Sequence, residues 1–282
     1  MRRRIQKFFK TPKGQLTIIL AILVMLAAPV EGWALVWPGM AGAILIAGVV
    51  DAAILRVRSG EWQFPSGAAL TAMIVAMVLR VQEPWYITAA VSTFAVASKY
   101  MVRSRSANLF NPAALAIVVS HYVFHTGQSW WGALPMVKPA LQLALPAGGL
   151  YITERVNKIP LVIAFLGSFY LLFTITAFAG DPGLVAEVYR APDLQAAVYF
   201  ACIILTDPPT SPAKAPDQMV CGAIVAVVSY AFFMRLGVAY YMLAGVLAGN
   251  VYEAWRRVHR RSEHRFPRGI PHFLREVSPW RA

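Results

Sequence analysis

Apolar residues gather in ten runs along the chain: 15–30, 39–55, 66–81, 84–102, 111–124, 136–152, 159–179, 193–205, 218–235 and 238–255. Short polar or proline-containing stretches separate them. About 20 apolar residues carry a helix across a bilayer. Most runs approach that length, but 111–124 and 193–205 fall short of it. The pattern predicts an all-α integral membrane protein of about ten transmembrane helices, some of them broken.

The runs divide into two sets of five, roughly 15–124 and 136–255. Runs three to five and eight to ten proceed in similar order. Each series has a proline-led entry, Phe64-Pro65-Ser66 in one and Ala191-Pro192-Asp193 in the other. A proline-containing link, a Gly- or Ala-rich run and a final run interrupted by polar residues follow. Five runs per half is an odd number, so a repeat would place the second half inverted relative to the first. Residues 1–14 and 256–282 read as basic tails, the latter lying on a surface or without fixed structure.

Composition agrees with the pattern. Of 282 residues, 58% are hydrophobic and 14% charged, with a mean hydropathy of +0.56. An ordinary soluble domain is excluded. A net charge of +13 would suggest nucleic acid in a soluble protein. Here the basic residues lie in the tails and between apolar runs, which points to the bilayer's anionic lipid and not to nucleic acid. With the N-terminus inside, 22 of the 26 Lys and Arg residues fall on the inner side. Arg80, Lys138, Arg190 and Arg235 remain outside. The expectation is a multi-pass protein of the bacterial cytoplasmic (inner) membrane with both termini cytoplasmic. The first residues resemble a signal n-region, but no cleavage motif follows, so the first run reads as a retained helix. Trp33, Trp37, Trp85, Trp130 and Trp131 are expected to form an outer aromatic belt. Cys202 and Cys221 fall in apolar runs without a CxxC pattern, as buried thiols would. His121 and His125 lie four apart, with no third metal ligand nearby.

Three polar breaks share the inner side in this topology: Phe64-Pro65-Ser66-Gly67, Ser106–Pro112 and Thr206–Pro212. Asn111 suits a helix N-cap and Pro112 a first turn. Lys99, Arg103 and Arg105 precede that start, and a helix N-terminus beside cations attracts an anionic group. The stretch TDPPTSP contains three prolines without backbone donors, while Thr206, Asp207, Thr210 and Ser211 add side-chain groups. Backbone this irregular persists at membrane depth only when buried in protein or lining a cavity. The plain reading is a capped re-entry into the bilayer and a rigid inner loop. The functional reading is one pocket for a planar polar ligand, a flavin or a quinone. Its candidate residues are Ser66, Gly67, Lys99, Arg103, Asn108, Asn111, Pro112, Thr206, Asp207, Pro208, Thr210 and Ser211. Asp207 is expected to face the N–H groups of its own turn, or Lys214. Asp51 and Glu253 are expected to reach interface water or to pair with Arg56 or Arg257. Asn250 and Gln142 are expected to be more buried. No catalytic residue or metal ligand stands out.

Residues 98–119 (SKYMVRSRSANLFNPAALAIVV) and 201–228 (ACIILTDPPTSPAKAPDQMVCGAIVAVV) resemble the two signature regions of the RnfD/NqrB family. These are membrane subunits of the Rnf ferredoxin:NAD electron-transport complex and of the sodium-pumping NADH:quinone reductase. The likeness extends over most of residues 40–255 in order and spacing. It implies an inverted-repeat helical fold, a bound flavin (FMN or riboflavin), and electron transfer beside other membrane redox subunits. Relatives with covalent FMN attach it to the Thr of an S/D-G-A-T-like sequence after the fifth run. Here 125–141 reads HTGQSWWGALPMVKPAL, with only Thr126 in a different context. A noncovalent flavin is therefore expected. The compact, basic-tailed chain looks closer to short relatives such as the UnbU-type proteins of enediyne biosynthesis clusters. Two further functions are compatible with the pattern: a transporter or channel for a small solute or ion, and a non-redox accessory subunit of a biosynthetic membrane complex. Flavin absorbance marks the first reading and solute flux the second. Without a dinucleotide fingerprint, a haem motif or a cluster motif, the chain is not expected to oxidise NADH by itself.

Overall fold

The computed structural model describes residues 7–104 and 107–265, with side chains as far as His259. Residues 1–6, Arg105, Ser106 and 266–282, and so much of both basic tails, lie outside the described residues. Each of the ten apolar runs becomes a helix. They are α1 Pro12–Glu31, α2 Trp33–Ser59, α3 Ser66–Val78, α4 Trp85–Met101 and α5 Pro112–Phe124. After a connecting segment come α6 Ala144–Arg155, α7 Ile159–Ala179, α8 Ala191–Tyr199, α9 Ala215–Leu236 and α10 Tyr241–Arg265. A π-helical turn, Phe200–Ile204, extends α8. Among the described residues there is no strand, only isolated bridges at Leu79–Gln128 and Arg103–Asn108. Among the described residues four helices, α1, α2, α7 and α9, are long and apolar enough to cross a membrane. Helices α3, α5 and the α8 unit are apolar but shorter.

Local chemistry sets the helix ends. Proline occupies the first turn of α1, α5, α7, α8 and α9, where its missing N–H leaves no bond unmade. The Thr11 side chain accepts from Gly14 N at the start of α1, and Asn111 accepts from Ala114 N at the start of α5. Gly60 and Gly237 adopt left-handed conformations just past α2 and α9, which ordinary side chains resist.

Helix α2 lies along α4, and α7 lies along α9. At the second crossing a Cβ on Gly222 would come within 2.7 Å of Leu161 O. Only glycine permits that backbone approach. Phe165, Phe169 and Phe173 of α7 are fully buried against Phe200, Tyr230, Phe233 and Tyr241, with ring centroids 5.0–6.3 Å apart.

The connection after α5 departs from expectation. Trp130 and Trp131 are not belt residues: they are 8% and 2% exposed, whereas Trp33, Trp37 and Trp85 are exposed. The segment folds under the C-terminus of α3. Ser129 N and Trp130 N donate to Val78 O, and Trp131 Nε1 donates to Ala76 O at 2.7 Å. Carbonyls left open at a buried helix end require such donors. Helix α3 can therefore stop inside the protein.

Candidate functional site

The starts of α1, α3 and α5 and the ends of α2, α4, α6 and the α8 unit surround one cavity of about 620 Å³. All three polar breaks reach it. Of the candidate residues, Ser66, Gly67, Lys99, Asn108, Asn111, Pro112, Thr206, Asp207 and Pro208 line it. Arg103 stands outside on the exposed turn, bridged to Asn108. Thr210 and Ser211 lie behind the wall, where both hydroxyls donate to Asp207. Lys13, Asp51, Tyr100 and Cys202 also line the cavity, and the sequence reading did not nominate them.

Lys99 sits at the centre of the polar wall. Its Nζ donates to Gly67 O at 2.9 Å and to Thr71 Oγ1 at 2.6 Å. A Cβ on Gly67 would lie 3.9 Å from the ammonium nitrogens of both Lys13 and Lys99. The absent side chain thus leaves space directly beside two cations. Asp51 faces the cavity and makes no ion pair with Arg56. It is buried and accepts from the Tyr100 hydroxyl, while the Arg58 guanidinium covers the Tyr100 ring at 4.7 Å. The α2–α4 packing brings these groups together. The cavity therefore carries two ammonium groups, Lys13 and Lys99, and two carboxyl groups, Asp51 and Asp207.

The TDPPTSP segment is held from outside itself. Asn111 Nδ2 donates to Ile204 O just before it, at 3.0 Å. Asn250 Nδ2 donates to Thr210 O at 3.1 Å, and Arg257 donates to Pro209 O at 2.8 Å. Buried Lys158 donates to Ser211 O and Pro212 O. Three prolines give a segment with few donors of its own, so its carbonyls recruit donors from α5, α10 and the α6–α7 turn. Asn250 Oδ1 also accepts from Asn111 N at 2.7 Å, which joins α10 to the cap of α5. Asn111 lines the cavity with its carboxamide engaged on both sides, capping Ala114 and holding Ile204. Behind the loop, Glu253 pairs with Arg257, as anticipated, and also with Arg256. Arg256 reaches Asp217 on α9 as well.

Asp207 accepts from Thr210 Oγ1 at 2.9 Å. Burial pushes its carboxyl above the usual range, while Thr210, Lys99, Lys13 and Lys158 pull it back down. These lysines, not the exposed Lys214, are its cationic neighbours. A carboxyl raised in the folded state stabilises the fold below its unfolded value, and that contribution is lost as pH rises through the folded value. Wild type should therefore lose thermal stability relative to Asp207→Asn as pH rises above about 4. Melting curves of both proteins across a pH series check this. Parallel curves would contradict the raised carboxyl.

The remaining candidates lie elsewhere. Gln142 is half-buried and donates to Val137 O. His121 meets Thr126 O, His125 is exposed, and no metal-holding cluster occurs among the described residues. Both cysteines are free and buried. Thr126 is buried against Ser120 and is not part of the cavity wall.

Fold and site together define an all-helical protein whose apolar helices suit contact with a bilayer, with a charge-lined cavity at one end of the bundle. No protein-family model and no curated protein sequence matches the chain.

Proposed function

We propose that this chain is a membrane electron-transfer subunit of the bacterial cytoplasmic membrane, built from two inverted five-helix halves, with a noncovalent flavin in the cavity. The observation that carries the reading is the meeting of three polar breaks, far apart in sequence, around one charge-lined space. Helix packing supports the repeat. The second helix of each half lies along the fourth, as α2·α4 and α7·α9. The first packs on the third, as α1·α3 and α6·α8, and the fourth on the fifth, as α4·α5 and α9·α10. The two first helices meet, and so do the two fifth helices, as a two-fold axis requires. The third helix is short in both halves and gives way to a proline-containing, non-helical segment, after a π-helical turn in the second half. Discontinuous helices at corresponding places are a feature of inverted-repeat membrane proteins. The distribution of Lys and Arg supports cytoplasmic termini and a cavity in the cytoplasmic half of the membrane.

The cavity suits a flavin. Its volume of about 620 Å³ lies within the range of small-molecule sites. Leu16, Leu70, Ile74 and Ile203 supply apolar walls for a planar ring. Ser66, Lys99 and Asn108 offer donors for the ring's polar edge, and Asp51 and Asp207 offer acceptors. A bound flavin supplies one- and two-electron chemistry. The chain's own residues hold and orient it, and the engaged TDPPTSP segment fixes one side of the site. A quinone is the alternative occupant, and redox subunits on either side are the partners. The broken third helices also support a second reading, a solute pathway. The absorption spectrum of the purified protein separates the two. Flavin absorbance is expected; its absence together with solute flux in proteoliposomes would favour transport. Absence of both would favour an accessory subunit.

A further inference from the structure

The loop between α2 and α3 exposes two large aromatic side chains beside the cavity. Trp62 and Phe64 are 75% and 81% exposed, and Val57 in the preceding turn is 86% exposed. Phe64 nevertheless lines the cavity, together with its neighbour Gln63. It therefore stands at the cavity's mouth. The apolar wall continues inward from it through Leu55, Leu70 and Ile74.

Helix length gives the loop's depth. Helix α2 has 27 residues, about 40 Å at 1.5 Å per residue, against a hydrocarbon core of about 30 Å. Counted from Trp33, about 20 residues reach Ala53. Arg56, Arg58 and the loop after Gly60 then fall in the headgroup layer. Arg56 and Arg58 in the last turn of α2 outnumber the exposed Glu61 of the loop, so the stretch keeps a net positive charge beside its exposed aromatics and complements an anionic lipid surface.

We propose that the Gly60–Pro65 loop rests in the anionic headgroup layer of the inner leaflet, with Trp62 and Phe64 inserted, and that the cavity opens there toward lipid. The cavity's ligand then enters laterally from the bilayer. The inference rests on the proposed membrane orientation and cavity, and its test does not require that a flavin be bound.

The test uses the full chain in vesicles of phosphatidylcholine and phosphatidylglycerol, with bromine placed high on the acyl chains of one lipid at a time. The difference in tryptophan fluorescence between wild type and Trp62→Phe reports on Trp62. Brominated phosphatidylglycerol should quench that difference more than brominated phosphatidylcholine, and aqueous acrylamide should quench it weakly. The double variant Arg56→Gln/Arg58→Gln should lose the preference for the anionic lipid, by about fivefold per arginine if each contributes ~1 kcal/mol at the surface. Quenching by acrylamide without quenching by either bromolipid would overturn the membrane position. Equal quenching by the two lipids would overturn the anionic preference. Leu70→Cys tests the lateral opening, because Leu70 lines the cavity behind Phe64. In a background with Cys202→Ala and Cys221→Ala it should react faster with a maleimide on a long alkyl chain than with a charged, water-confined maleimide, each rate taken relative to that of the same reagent with a small thiol in solution. The opposite order would overturn lateral entry, whether or not flavin is found.

Discussion

Asn250→Leu is expected to destabilise the protein severely. Asn250 is 3% exposed and serves two buried backbone groups at once, accepting from Asn111 N and donating to Thr210 O. Leucine leaves both without a partner. Each buried polar group so orphaned costs about 1–3 kcal/mol, or about 2–6 kcal/mol together. That is a large share of the ~5–15 kcal/mol by which folded proteins are stable. The loss also separates α10 from the α5 cap and frees one side of the TDPPTSP segment. Asn250→Asp keeps the acceptor and removes the donor, so it should fall between wild type and leucine. Thermal unfolding in detergent measures the order. A leucine variant as stable as wild type would mean that Asn250 does not hold the two helices and the loop together.

Gly67→Leu should act on the cavity and spare the fold. The space above Gly67 is open except for the two lysine ammonium groups at 3.9 Å, the ends of flexible side chains. Leucine is also a better helix former than glycine by roughly 0.8 kcal/mol. The new side chain would occupy the region between Lys13 and Lys99 that a ligand needs. Ligand affinity should fall more than about tenfold, a loss of at least ~1.4 kcal/mol, while the melting temperature holds or rises. Unchanged retention of flavin would place the ligand away from the α3 start.

Much of this arrangement is written in local sequence. The ten apolar runs mark the ten helices, since apolar runs bounded by proline and polar residues report on helix existence directly. Asn111-Pro112 announces a capped start, and the cap is present. The three breaks could be grouped because the topology expected from the charge distribution puts them on one side, and all three line one cavity. Other features depend on neighbours that no local window contains. Trp130 and Trp131 look like belt residues until the C-terminus of α3 is seen above them. Asp51 resembles a residue reaching for interface water until Tyr100 arrives from α4. Lys158 reads as one more inner-side cation, yet it holds carbonyls more than 50 residues away. Polar groups buried between distant segments are chosen by tertiary contact and not by periodicity or capping.

The proposed occupant of the cavity is a noncovalent flavin. Acid extraction of protein purified in mild detergent, with the released flavin quantified against protein, tests it most directly. Near-stoichiometric flavin is expected in the extract from wild type, with a non-fluorescent protein band in a denaturing gel and loss of flavin from a folded Gly67→Leu. Wild-type protein of native stability that releases no flavin would contradict it, and so would flavin that stays on the denatured chain.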